Sequence, residues 1–289
     1  MITHIELNQK VEEAKARDKT LAGSLASFIA EPFGINGSHI IRRVGLATRY
    51  FDTFTHLLDD AKDCKGDGSY LMHAATSAFI KGVGEVLKIA KNPEKLHQKI
   101  SQYYEEASGG ERHLWLHHGR IIPYNSNDFA MLGKRGSMAK VPIALYADIS
   151  QNEDPVNGLE AGVGSAGLAV QLFDDIFDWK EDLQAKIYTH PIVLAHQKTG
   201  SSDKKSIERG LFYLGALEEV SDIALRHLKD GRKSFISVGA TKMISIVDLL
   251  EDGIVELNKY SLQLRKNNYH GRDLTGELRS IVRPLLAFH

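Results

Sequence analysis

Two acidic segments hold most of the chemistry available to this chain. The first reads FDTFTHLLDDAKD and carries Asp59, Asp60 and Asp63; the second reads QLFDDIFDWKED and carries Asp174, Asp175, Asp178, Glu181 and Asp182. On a helix, Asp59 and Asp63 lie one turn apart on one face with Asp60 beside them. Asp174, Asp178 and Asp182 repeat every four residues, so they stack along one stripe at about 6 Å per step. Like charges at that spacing repel by roughly a few tenths of a kcal/mol per pair. Apolar neighbours (Leu57, Leu58, Ala61; Leu172, Phe173, Ile176, Phe177) give each acidic side chain a reason to face inward. An inward carboxylate is costly unless a cation compensates it. Oxygen-only ligands select hard cations, and Mg²⁺ takes one or two carboxylates plus substrate phosphate oxygens. Two acidic helices facing each other would hold two or three Mg²⁺ ions, with Mn²⁺ as a substitute, and a diphosphate would bridge them. One such segment alone reads more simply as a solvated helix face; two, both among apolar residues, favour the metal.

The elements that must position these residues are helical. The 289-residue chain is 43% hydrophobic and 25% charged, with 36 basic and 37 acidic side chains and a net charge of −1. That balance argues against a general nucleic-acid binder, which needs a basic surplus. The lone cysteine, Cys64, rules out an internal disulfide framework. No apolar run approaches the ~20 residues that span a bilayer, and the charged N-terminus lacks a secretion signal. A cytoplasmic protein without stable membrane insertion is expected. Five of the seven prolines fall in polar or glycine-rich breaks: EPFGINGS, KNPEK, RIIPYNSND, NEDPVNG and YTHPIV. Between breaks, apolar residues recur in steps of three and four, as in Ile207, Leu211, Leu214, Leu217 and Val220. No alternating run bounded by hairpin turns occurs. The pattern predicts one all-α domain over residues 1–289, with helices long enough for a large bundle. Its helices are expected near 6–30, 38–63, 70–91, 93–108, 111–119, 128–149, 155–186, 191–198, 203–229, 232–265 and 272–287. Pro142 is expected to kink the helix that contains it.

DDAKD and QLFDDIFDWKED resemble the two aspartate-rich motifs of class I isoprenoid synthases, the superfamily of trans-prenyl diphosphate synthases and class I terpene cyclases. The second is the more specific, with its glycine-rich lead-in LEAGVGSAGLAVQ and trailing THP; the resemblance covers roughly residues 38–195. It implies an antiparallel helical bundle around a deep apolar cavity with the motifs on opposite walls of its mouth. Asp59 and Asp63, with Asp60 adjacent, would match the first set of Mg²⁺ ligands. Asp174, flanked by Asp175, and with it Asp178 and Asp182, would match the second. Lys134 and Arg135 resemble the family's diphosphate-binding basic residues on the helix before the second motif, and Lys186 the basic residue after it. Phe51, Phe54, Thr55, Phe173 and Phe177 would line the cavity, where aromatic faces can stabilise a carbocation. The family also implies an allylic prenyl diphosphate substrate and a homodimer.

Other features are weaker. Gly158, Gly162, Gly164 and Gly167 in one helix imply either a kink or substrate approach, or close helix packing. His113, His117 and His118 contain an i, i+4 pair of the kind that binds transition metals, but no neighbouring carboxylate or cysteine completes it. The chain also departs from the elongating enzymes. It lacks a GGKRxRP segment, and after Asp63 it reads CKGDGSY, with Lys65 in place of an arginine pair. Arg42 and Arg43 are a thin replacement for a second diphosphate pocket. The expected function is therefore a Mg²⁺-dependent terpene synthase that ionises one allylic diphosphate and cyclises or rearranges the cation. The alternatives are a trans-prenyl diphosphate synthase using isopentenyl diphosphate and a non-catalytic helical partner of such a synthase.

Overall fold

The computed structural model describes residues 21–63 and 68–266. The helices are α1 (Leu21–Ile29), α2 (Ser38–Asp63), α3 (Ser69–Leu87), α4 (Pro93–Leu114), α5 (Ser126–Lys134), α6 (Val141–Ser150), α7 (Val156–Phe177), α8 (Trp179–Ala185), α9 (His190–Thr199), α10 (Lys204–Tyr213), α11 (Ala216–Ser237) and α12 (Thr241–Lys266). Among the described residues there is no strand, only an isolated antiparallel bridge between His118 and Ile187. The all-α architecture expected from periodicity is the one that forms. The expected helical segments 6–20 and 272–287 lie outside the described residues, as do Cys64 and Lys65.

Local chemistry sets the starts. Asn92 accepts from the Lys95 N–H at 3.1 Å, with Pro93 next in the first turn. Asn125 and Asp128 form a reciprocal capping box on α5, and Asp203 accepts from Lys205 and Ser206 at 3.0 Å each.

Several boundaries differ from the sequence expectation, each for a packing or backbone reason. Gly109–Gly110 does not end a helix; α4 continues to Leu114. A Cβ at Gly110 would lie 2.7 Å from the Met131 carbonyl oxygen, so this glycine serves a close approach of α5. The expected helix 128–149 divides at a 3-10 turn, Arg135–Lys140, which puts Pro142 in the first turn of α6 rather than at an interior kink. There its missing N–H costs nothing. The expected helix 155–186 breaks at Asp178 (φ −98°, ψ 9°). The last two long segments break near Gly215 (φ +89°) and Gly239 (φ +69°) instead of near residue 230, because the left-handed backbone there suits glycine. Helix α3 stops at Leu87, and Asp148 takes the N–H groups of Lys91 and Asn92 at 2.6 and 2.9 Å.

Helix α7 packs on α11, α5, α9 and α6, while α2 packs on α3, α1 and α6. The α7–α11 approach is very close. A Cβ at Gly158 would overlap Val238, one at Gly162 would overlap the Phe235 ring, and one at Gly231 would sit 3.1 Å from the Gly162 carbonyl oxygen. Close packing therefore explains Gly158 and Gly162. At Gly164 and Gly167 a Cβ would meet nothing within 4 Å. The main core holds Phe51, Tyr146, Leu172, Trp179 and Phe235; a smaller cluster of Phe54, Leu57, Leu71, Ala74, Ala75 and Ala78 joins α2 to α3. No helix among the described residues is long and apolar enough to cross a membrane.

This packing separates the glycines by experiment. Gly162→Ala is expected to cost about 2 kcal/mol or more through overlap with Phe235. Gly164→Ala should instead gain about 0.5–1 kcal/mol from helix propensity. Urea unfolding of both variants checks this; equal effects would contradict the packing account.

Candidate active site

The second acidic segment sits where α7 ends. The helix breaks at Asp178, yet the Asp178 N–H still donates to the Asp174 carbonyl at 2.8 Å and the Asp182 N–H to the Asp178 carbonyl at 2.9 Å. The four-residue stagger of Asp174, Asp178 and Asp182 therefore survives the break. Asp174 and Asp178 are exposed, Asp182 is half-buried, and Asp175 is buried at 4% exposure. Asp175, off the stripe, turns inward. Its Oδ1 accepts from Gln171 Nε2 at 3.2 Å and lies 3.7 Å from Arg135 Nη1, while its Oδ2 is buried without a partner. Arg135 is shared, donating through Nε to Glu111 Oε1 at 2.6 Å.

This crowding makes the carboxyls reluctant to ionise. Burial, reinforced by Asp175 and Asp178, pushes Asp182 up to about 8. Burial raises Asp175 to about 6, against the pull of Arg135 and Gln171. Asp174 sits in a recess, and protein around it together with Asp175 and Asp178 lifts it to about 7. Asp174 keeps open surface, so water offsets part of that rise. Mutually repelling carboxylates, of which Asp175 is buried with an orphan oxygen, form a donor set suited to a divalent cation.

Helix α2 brings the first acidic segment to its C-terminal end. Asp60 is exposed; the side chains of Asp59 and Asp63 lie outside what is described. His56, one turn earlier, is close enough for its charge to act on Asp174, and it lies 3.8 Å from Asp52. The ends of α2 and α7 thus border the same space.

Of the basic residues read from the sequence, the structure brings Arg135 against the acidic segment. Lys134 is exposed at the end of α5. Lys186 is exposed in the left-handed turn after α8 (φ +59°), its carbonyl accepting the Gly119 N–H at 2.7 Å. Arg43 Nη1 donates to Glu85 on α3 at 2.8 Å, and Arg42 is exposed.

Phe51 and Phe54 line an apolar cleft of roughly 360 Å³ between α2, α3 and α4, with Phe79, Val83, Ile100 and Tyr104 among its walls. The Phe54 ring lies 5.2 Å from Phe79 and 5.9 Å from Tyr104. Thr55 is half-buried and donates to the Asp52 carbonyl at 2.8 Å. Phe173 and Phe177 are buried on α7, 6.5 Å apart, away from this cleft. Gly167 lies two turns before Asp174 on the same helical face, with open space over it.

One group was only half visible in the sequence. His113 and His117 show no carboxylate nearby in the chain, but the fold supplies Asp128 from α5. Its Oδ1 lies 2.7 Å from His113 Nε2 and 3.4 Å from His117 Nε2. Its Oδ2 accepts the Asn125 N–H at 2.7 Å. Against the penalty of burial, that bond and the two imidazoles hold Asp128 below the usual carboxylate range. His118 stands apart, its ring 5.1 Å from Trp115.

No family model matches the sequence, and no curated protein matches it. Solved structures do. A geranylgeranyl pyrophosphate synthetase from the archaeon Geoglobus acetivorans superposes with a TM-score of 0.70 at 17% identity, covering 86% of this chain and 93% of that one. A heptaprenyl diphosphate synthase from Staphylococcus aureus gives 0.65 at 14% identity over 85% and 98%. A polyprenyl synthase from Caulobacter crescentus, complexed with calcium and isoprenyl diphosphate, gives 0.69 at 14% identity over 86% and 93%. The helices that carry the two acidic segments therefore belong to a bundle with the fold of the trans-prenyl diphosphate synthases.

Proposed function

We propose that the chain is a Mg²⁺-dependent prenyltransferase that ionises an allylic prenyl diphosphate and joins it to isopentenyl diphosphate. One observation carries this reading. A crowded carboxylate cluster closes α7 in a fold shared with prenyl diphosphate synthases over more than nine-tenths of their own chains. Asp174, Asp178 and Asp182 on one side, and Asp59, Asp60 and Asp63 on the other, would hold Mg²⁺ or Mn²⁺, with Asp175 behind Asp174. Mg²⁺ bound there supplies Lewis-acid pull on the diphosphate leaving group.

The chain's own residues do the rest. Arg135, fixed by Glu111 and Asp175, adds a positive charge that needs no reorganisation. Lys134 and Lys186 are exposed and long enough to close on the diphosphate. Phe51 and Phe54 offer aromatic faces to a carbocation and apolar surface to the prenyl tail. Thr55 would border the same path, whereas Phe173 and Phe177 pack in the core away from it. The homodimer has its support in α3, where Met72, Ile80 and Leu87 are exposed along one face.

Cyclisation by a terpene synthase is the second reading, favoured by the missing GGKRxRP segment and by the engagement of Arg43 with Glu85. Two diphosphates in one poorly hydrated site repel strongly unless fixed positive charges separate them. A purely non-catalytic role fits poorly with acidic clusters kept whole on both helices.

Allylic diphosphates of increasing length, offered with and without isopentenyl diphosphate, separate the readings. Turnover that requires isopentenyl diphosphate and yields a longer prenyl diphosphate supports the transferase. Release of hydrocarbon or alcohol from the allylic substrate alone supports the cyclase. Under either reading Asp174→Asn should cut turnover by about 10²-fold or more, and undiminished activity in the folded variant would remove the metal assignment.

Chain length supplies a second expectation. Phe54→Ala opens the cleft below the first acidic segment, so mass spectrometry should find longer products or acceptance of longer substrates. An unchanged profile would place Phe54 in ordinary packing.

The third concerns pH. Asp174, Asp175 and Asp182 have folded pKa values raised to about 7, 6 and 8, so between about pH 4 and 8 these three carboxyls hold more protons in the folded chain than in the unfolded one. Their contribution to stability without metal falls as pH rises through that window. Mg²⁺ displaces those protons, so its stabilisation should grow from pH 5.5 to pH 8. Thermal melts with and without Mg²⁺ measure this, and a metal effect independent of pH would contradict it.

A further inference from the structure

We propose that His113, His117 and Asp128 form a second cation site, selective for Zn²⁺ and its neighbours rather than for Mg²⁺. One ring nitrogen of His113, one of His117 and a carboxylate oxygen of Asp128 all lie within 4.8 Å of one another. Bonds of about 2.0–2.1 Å in a tetrahedral Zn²⁺ site place neighbouring ligand atoms about 3.3 Å apart. Two of the separations here are 2.7 and 3.4 Å, so small side-chain rotations reach that geometry. As a hydrogen-bonded cluster the group is unevenly satisfied, with one oxygen serving two imidazoles and the second contact near the limit of a hydrogen bond. A cation between the three atoms would engage all of them.

The surroundings add a second, independent observation. His117 is buried at 2% exposure and its Nδ1 has no partner. The Tyr124 ring stacks on it at 4.2 Å, and the buried Tyr124 hydroxyl and both His190 ring nitrogens are likewise without partners. Phe129 packs on both Tyr124 and His190 at 5.9 and 4.9 Å. This aromatic shell fixes the His117 ring and keeps the site poor in water, as around a bound metal. His113 retains 17% side-chain exposure, which leaves one side open for entry and for a fourth, non-protein ligand.

The donor set decides the ion. Two imidazoles and one carboxylate suit Zn²⁺, Co²⁺ or Ni²⁺, whereas Mg²⁺ prefers oxygen alone. The ion would clamp the end of α4 to the start of α5. It would also brace the turn after α8, because His117 O accepts the Tyr188 N–H and His118 pairs with Ile187. This site is independent of the function proposed above.

The test uses the full chain stripped with EDTA and then saturated with Mg²⁺, titrated with Co²⁺ as a visible stand-in for Zn²⁺. We expect one equivalent of Co²⁺ with the strong visible absorption of a four-coordinate ion, displaced by one equivalent of Zn²⁺. His113→Gln, at the exposed edge, should keep the metal-free circular dichroism and melting temperature but lose the band and the Zn²⁺-induced rise in Tm. His117→Gln, if it folds, should do the same. Asp174→Asn should retain both signals. A wild-type chain with no saturable Co²⁺ band, a band that persists in His113→Gln, or one that disappears in Asp174→Asn would each overturn the proposal.

Discussion

Four aspartates within residues 174–182 repel one another where α7 ends, and the structure relieves that repulsion only in part. Asp175, off the stripe, lies beside Arg135, while Asp174 and Asp178 stay exposed at the break in the helix, toward a space that α2 also borders. One guanidinium serves both Glu111 and Asp175, so the group stays net negative. A cluster built this way carries unfavourable charge that a divalent cation would relieve.

Holding such a cluster in place requires a rigid support. Helix α7 obtains it from α11, where Gly158, Gly162 and Gly231 remove the side chains that would hold the backbones apart. Close packing of that kind transmits position with little play. Farther along α7, the face that leads to Asp174 is left open at Gly167. The same helix therefore combines a tightly packed side with an uncrowded one, which suits a wall between a core and a substrate space.

The basic residues divide by how firmly they are held. Arg135 is locked by two carboxylates, while Lys134 and Lys186 stand in solvent on long, flexible stems. Under the proposed function, a fixed charge beside the acidic cluster would orient a diphosphate, whereas mobile lysines would adapt to it. Arg43 is already engaged by Glu85, which weakens the case for a second diphosphate pocket built from the Arg42–Arg43 pair. Within the proposed function, the choice between elongation and cyclisation would turn on residues for a second substrate rather than on the acidic clusters.

Hydrophobic periodicity was enough to establish an all-α chain, and the spacing of the aspartates was enough to mark both acidic segments, because each depends only on residues a few positions apart. The breaks at Asp178, Gly215 and Gly239 were not legible that way. Helical periodicity continues across all three, and what ends each helix is backbone conformation selected by packing. The four glycines of α7 look alike in the sequence, yet only their neighbours on α11 separate Gly158 and Gly162 from Gly164 and Gly167. Arg135 and Lys134 were equivalent by position, and the turn of the helix sent one to Asp175 and the other to solvent. The pairing of His113 and His117 with Asp128 was out of reach for the same reason. The carboxylate lies 15 and 11 positions away in the chain, and only the fold of α4 against α5 closes that distance.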